Sequence, residues 1–76
     1  MFKVGERKKF SFGSFIIEKE FDVGFQYVEK RSPIRNIVYK IVKVYLLTGR
    51  GDRFLGISDK GHILLLPNKI ALENIK

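Results

Sequence analysis

The chain has 76 residues, no cysteine and a formal net charge of +7, and 45% of its residues are apolar. These values predict one folded domain spanning residues 1–76, without disulfides or thiolate metal sites. Charge begins at Lys3 and no stretch approaches the ~20 apolar residues of a membrane span, so we expect a cytoplasmic protein with no secretory signal and no membrane partner.

The first half of the chain is predicted to form a β-hairpin. Ile and Val number 15 whereas alanine occurs once, a bias that favours strands because branched side chains suit a pleated sheet. Alternation places Phe15, Ile17 and Phe21 on one strand face. Asp22-Val23-Gly24 then resembles a turn, which would fold residues 10–30 into a first hairpin.

The middle segment, residues 36–47, is compatible with two structures. Ser32-Pro33 is a helix-start signal, and the apolar spacing also fits a helix at about 33–48, which would make the fold α+β. Five β-branched residues between 37 and 44 favour a strand instead. A bulge near Ile41-Val42 would turn both apolar sets inward and leave Lys40 and Lys43 outside.

The C-terminal part is predicted to form a second hairpin and a short helix. Two apolar runs, residues 53–58 and 62–66, flank Asp59-Lys60-Gly61, where glycine suits the positive φ of a tight loop. Pro67 should end the second strand, and residues 70–75 read as a single helical turn.

These strand patterns resemble an SH3-like small β-barrel. The segment from Tyr39 to Tyr45, the run Phe54-Leu55-Gly56-Ile57-Ser58 and the run Ile63-Leu64-Leu65-Leu66-Pro67 are similar to the central strands of such domains. The fold class is therefore expected to be mainly β, either a small SH3-like barrel or two packed antiparallel hairpins. Barrels of this kind bind nucleic acids, peptides or other subunits, so the resemblance does not fix the function.

Positive charge is concentrated in one part of the chain. Residues 30–53 contain seven Lys or Arg and one acid, a net charge of +6, whereas residues 10–29 have a net charge of −3. Cations that displace counterions from phosphates, next to rings that stack on bases, would make a nucleic-acid-binding face. The candidate residues for binding DNA or RNA are Lys30, Arg31, Arg35, Lys40, Lys43, Arg50 and Arg53, with Tyr39 and Tyr45 as candidate stacking rings.

No combination of residues indicates catalysis. His62 is the single histidine, too few for a zinc site, and no cysteine nucleophile exists. We therefore expect a non-enzymatic binding module without a metal or cofactor. The alternative function is a small adaptor or regulatory protein, of the kind that phages and plasmids encode, that binds another protein. Five phenylalanines within residues 10–25, more than one hairpin face can bury, also raise the hypothesis of a homodimer.

Overall fold

The structure is a computed structural model that describes residues 2–49 and 51–75, and at Arg31 only the backbone. Five strands precede one helix: β1 (Arg7–Phe10), β2 (Gly13–Ser32), β3 (Arg35–Thr48), β4 (Arg53–Ser58), β5 (Ile63–Leu66) and α1 (Asn68–Asn74). The strands form one antiparallel sheet in the order β1-β2-β3-β4-β5. The mainly β prediction is confirmed. The alternative of a helix at about 33–48 is wrong, because β3 occupies that segment.

The predicted turn at residues 22–24 is wrong, because β2 continues through it as one strand of 20 residues. Asp22 pairs with Lys43 and Phe25 pairs with Ile41, so two residues of β2 lie opposite the single residue Val42 of β3. The reversal occurs at residues 33 and 34 instead. β3 is long enough to pair with both halves of β2. Gly24 therefore lies in an irregular stretch of the ladder rather than in a turn.

The predicted bulge near Ile41-Val42 is confirmed. The ladder between β3 and β4 shifts between Ile41 and Lys43, which leaves Val42 without a pairing partner on β4 as well. A straight strand of 20 residues would span roughly 66 Å, whereas the longest dimension of the molecule is 38 Å. The sheet is therefore strongly curled, and bulges of this kind increase bending.

Both faces of the sheet carry a buried cluster. On the first, which we call the helix face, the cluster includes Ile41, Val44 and Ala71 of α1. On the second, the amino-terminal face, Tyr45 and Leu47 are covered by Phe2 and Phe10. The remaining buried members are Tyr39, Phe54, Leu64 and Leu66 in the first cluster, and Phe15, Ile17, Leu55 and Ile57 in the second.

The expectation that Phe15, Ile17 and Phe21 share one face is wrong. Ile17 pairs with Leu47 but Lys19 pairs with Leu46, so the register shifts at the residue between them. Because side chains alternate along a strand, one extra residue moves every later side chain to the opposite face. Phe15 and Ile17 consequently belong to the cluster of the amino-terminal face, and Phe21 packs on that of the helix face.

The second hairpin and the C-terminal helix are confirmed, although the helix begins at Asn68 and is longer than the single turn predicted at residues 70–75. β4 and β5 form the second hairpin, Gly61 has φ 84°, and α1 follows Pro67. The sheet is open, with β1 and β5 as its outer strands and no ladder between them in the part of the chain that the structure describes. A cavity of about 570 Å³ is lined by Phe12 and Phe15, from the β1–β2 turn and β2, and by Arg53 and Leu65, from β4 and β5. The same described residues contain no helix long and apolar enough to cross a membrane.

Candidate nucleic-acid interface

The β2–β3 hairpin extends past its neighbouring strands as a two-stranded arm. The strand β4 ends at Ser58, which pairs with Ile41 of β3, and Ile41 pairs in turn with Phe25 of β2. Beyond this row of three residues, β2 and β3 have no third strand beside them among the described residues. Residues 26–40, which we call the arm, then pair only with each other over about 23 Å of strand. One backbone bond fixes the base of the arm, where the amide of Asp59 donates to the carbonyl of Lys40 at 2.9 Å.

The arm has a packed side and an exposed side. Tyr27, Ile37 and Tyr39 point to the helix face and pack on its buried cluster, and the Tyr39 ring meets His62 edge to face at 5.7 Å. The opposite side, which we call the outer face, is made of three cross-strand pairs whose six residues are all exposed. These are Gln26 with Lys40, Val28 with Val38, and Lys30 with Asn36. The outer face therefore combines cations, amides and a small aliphatic pair.

The tip of the arm is a two-residue connection, Pro33 and Ile34. Pro33 fixes its own φ near −65°, which suits the first position of a tight turn. Just before it, Lys30 pairs with Asn36 and Ser32 with Arg35, so a register shift lies at residue 31. The side chain of Ile34 is 97% exposed and Arg35 beside it is exposed too. The tip thus presents one aliphatic side chain next to a guanidinium.

Three predicted binding cations lie together on this arm. Lys30, Arg35 and Lys40 are exposed, and none makes an ion pair with a carboxylate among the residues the structure describes. Over residues 26–40 the sequence has four Lys or Arg and one acid, a net charge of +3. Exposed cations with no internal partner are available to an anionic ligand at little desolvation cost.

Lys43 is placed differently, because two carboxylates hold its ammonium. Nζ of Lys43 lies 3.1 Å from Oε1 of Glu20 and 2.9 Å from Oδ1 of Asp22. The hydrogen bonds to Asp22 and Glu20 raise the pKa of Lys43. The hydrogen bond from the Tyr45 hydroxyl, followed by that from Lys43, lowers the pKa of Glu20. Burial, followed by the bond to Glu20, raises the pKa of Tyr45. Lys43 therefore belongs to a polar cluster within the fold.

The other predicted site residues do not join the arm. Arg53 is exposed and pairs with Leu47, seven residues along β3 from Lys40, or about 23 Å of strand. Arg50 and the side chain of Arg31 lie outside the described part of the chain. The single basic face expected from the sequence is thus divided between the arm and the region of Arg53.

The two predicted stacking rings are buried. Tyr39 is 8% exposed and Tyr45 is fully buried, so the expectation that their rings face solvent is wrong. Sequence reasoning also missed the exposed aliphatic side chains of the arm, Val28, Ile34 and Val38. The available signal is Ser32-Pro33, which is compatible with the strand reversal observed at residues 33 and 34 as well as with the start of a helix.

Comparisons with protein-family models, with curated proteins and with solved structures found no match to this chain. No group of three or more His, Cys, Asp or Glu side chains that could hold a metal ion occurs among the residues the structure describes.

Proposed function

We propose that this protein is a non-enzymatic nucleic-acid-binding module and that the outer face and tip of the arm contact the ligand. The observation that carries this proposal is the grouping of Lys30, Arg35 and Lys40, all exposed and without ion pairs in the described structure, on one two-stranded element. In the proposed mechanism, these cations displace condensed counterions from phosphates, and that release provides most of the binding free energy.

The neutral residues of the outer face suit the same ligand. Gln26 and Asn36 lie on that face beside Lys40 and Lys30, respectively, and both are exposed. Side-chain amides donate to and accept from base edges and phosphates. A two-stranded β-ribbon also has the width that the major groove of duplex DNA admits. The arm therefore offers phosphate contacts on a scaffold of suitable size.

The test is a fluorescence anisotropy titration of labelled single- and double-stranded oligonucleotides at several salt concentrations. Three or four phosphate contacts should give log K a slope of about −3 to −4 against log salt. In the double variant Lys30→Ala with Lys40→Ala, we expect the slope to fall in magnitude by about 2. The matched control is Lys60→Ala with Lys69→Ala, which changes the net charge equally at two exposed lysines outside the arm.

Two results would contradict the proposal. One is the absence of binding at ~50 mM salt, where electrostatic attraction is still strong. The other is an equal loss of affinity in both double variants, which would assign the effect to net charge rather than to the arm.

The alternative function, an adaptor or regulator that binds another protein, is supported by one feature. Val28 and Val38 form an exposed aliphatic pair on the outer face, 45% and 56% exposed. Replacing both with serine should abolish such a complex while leaving the salt-dependent binding of oligonucleotides nearly intact. The SH3-like resemblance, the homodimer and the cytoplasmic location remain predictions.

A further inference from the structure

Ile34 is the most exposed large apolar side chain of the structure described. It is 97% exposed, whereas the next values are 59% for Val4 and 56% for Val38. It occupies the second position of a two-residue connection, where small polar residues and glycine are the usual choice. Burial of an isoleucine side chain contributes about 1.5–3 kcal/mol, and none of that is realised within this fold.

Both strands have a cation near the tip of the arm. Arg35 follows the isoleucine directly in sequence, and Lys30 lies on the neighbouring strand, opposite Asn36. Both are exposed. An apolar tip with a cation near it on each strand is poorly suited to an apolar protein pocket, because docking would desolvate the charges without pairing them. It suits a ligand that has an anionic exterior and an apolar interior.

Duplex nucleic acid has this construction, with phosphates outside and stacked bases inside. Binders of single strands use exposed aromatic rings as stacking platforms. The two rings of the arm, Tyr27 and Tyr39, instead pack on the buried cluster of the helix face. Proteins that kink a duplex insert aliphatic side chains, isoleucine among them, between base pairs. The arm therefore exposes aliphatic side chains, the type that inserts between base pairs as a wedge, rather than stacking rings.

We propose that the arm lies along a groove of duplex DNA and that Ile34 inserts between two base pairs, unstacking them and bending the duplex. This inference rests on the proposed function and specifies its ligand as double-stranded. Lys30 and Arg35 would bind phosphates on either side of the insertion point. The wedge has no requirement for a particular base, which is consistent with recognition through backbone charge.

The test separates binding from bending. Anisotropy gives the affinity for a labelled duplex, and energy transfer between dyes at the two ends of that duplex gives the bend. Topoisomerase relaxation of a closed circular plasmid with bound protein gives the change in linking number, which does not depend on where the protein binds. The variants are Ile34→Ala, which removes the wedge, Ile34→Leu, which keeps an aliphatic side chain, and Leu72→Ala, a control at an exposed aliphatic side chain of α1, outside the arm.

We expect wild type, Ile34→Leu and Leu72→Ala to shorten the distance between the duplex ends and to shift the linking number. Ile34→Ala should lose both effects while its affinity falls by about tenfold or less, because phosphate contacts provide most of the binding. The wedge would be overturned if Ile34→Ala bends the duplex as much as wild type does. It would also be overturned if wild type binds without bending the duplex or changing the linking number. Failure of wild type to bind any oligonucleotide would instead overturn the proposed function itself.

Discussion

Lys43 and Asp22 lie directly opposite each other in the β2–β3 ladder, with Nζ of Lys43 2.9 Å from Oδ1 of Asp22. They form the last regular pair before the irregular stretch in which residues 23 and 24 face Val42. An ion pair at this position favours one register over a slipped alternative, because a shift of one residue would place the two charges on opposite faces. Lys43 therefore helps to fix the register between β2 and β3, although its sequence context resembles that of Lys40.

We predict that Lys43→Ala lowers stability and that Lys40→Ala weakens binding to oligonucleotides. Lys43→Ala should lower the urea midpoint of unfolding, because it leaves Glu20 and Asp22 close together without their cation. Its affinity for oligonucleotides should be within about twofold of wild type, because a phosphate contact is not lost. Lys40→Ala should leave the urea midpoint unchanged and weaken binding. If Lys43→Ala instead weakens binding and leaves the urea midpoint unchanged, Lys43 belongs to the binding surface.

The cluster around Lys43 also predicts the pH dependence of stability. The folded-state pKa of Glu20 is lowered from 4.5, through the bond from Tyr45 and then that from Lys43, so its stabilisation is present above pH 4.5 and is lost as pH falls below it. The pKa of Lys43 is raised from 10.5, so its stabilisation is lost as pH rises above 10.5. Burial raises the pKa of Tyr45 from 10.0, so ionisation of that hydroxyl opposes folding above pH 10.0.

Urea unfolding at a series of pH values checks these signs. We expect a plateau of stability between these limits, with losses on both sides. In Glu20→Gln the difference from wild type should shrink as pH falls below 4.5, because the wild-type carboxylate is then progressively protonated too. A difference that stays constant down to pH 2 would show that the charge of Glu20 does not contribute.

Gly56 lies where the sheet has no room for a side chain. A Cβ at this position would lie 2.9 Å from Cδ1 of Leu66, itself a buried residue. Gly56→Ala should therefore destabilise the fold by about 1–3 kcal/mol through overpacking. Gly24→Ala is the matched control, because a Cβ there meets nothing within 4 Å. Chemical denaturation of both variants gives the comparison, and equal stabilities would show that Leu66 repacks without cost.

Ala71 is the buried residue of α1, and Leu72 beside it is 52% exposed. Ala71→Glu would place a carboxylate in the cluster of the helix face, which costs several kcal/mol, enough to unfold a domain of this size. Leu72→Glu should retain the wild-type circular dichroism spectrum and urea midpoint within error. If both variants fold equally well, the helix does not cover the sheet in solution.

Local features of the fold followed from local sequence. The second hairpin was predictable from Asp59-Lys60-Gly61, because a tight connection needs the positive φ that Gly61 adopts. The bulge at Val42 was predictable because apolar residues on both sides of it change their alternation, and only an extra residue brings Ile41 and Val44 to one face. The short helix followed from Pro67 and the pattern after it.

The candidate site was less accessible to sequence reasoning. The concentration of positive charge in residues 30–53 indicates Lys30, Arg35 and Lys40 as candidates, and all three lie on the arm. Lys43 belongs to the same positively charged segment, yet its partners Glu20 and Asp22 are more than 20 residues away in sequence. Whether a lysine forms an ion pair depends on the side chains of the strand beside it, and the net charge of its own segment does not reveal that strand.

Sequence by itself determined the strand-forming character of the chain, its tight glycine turn, its bulge in β3 and its excess of cations, because each depends on residues a few positions apart. Tertiary structure decided that β2 runs unbroken through residues 22–24, that Phe15 and Phe21 lie on opposite faces, and that Tyr45 is buried beside Glu20. These outcomes depend on the register between distant strands. Because side chains alternate along a strand, a register change of one residue exchanges the buried and exposed sets, and that register is fixed only when the whole sheet packs.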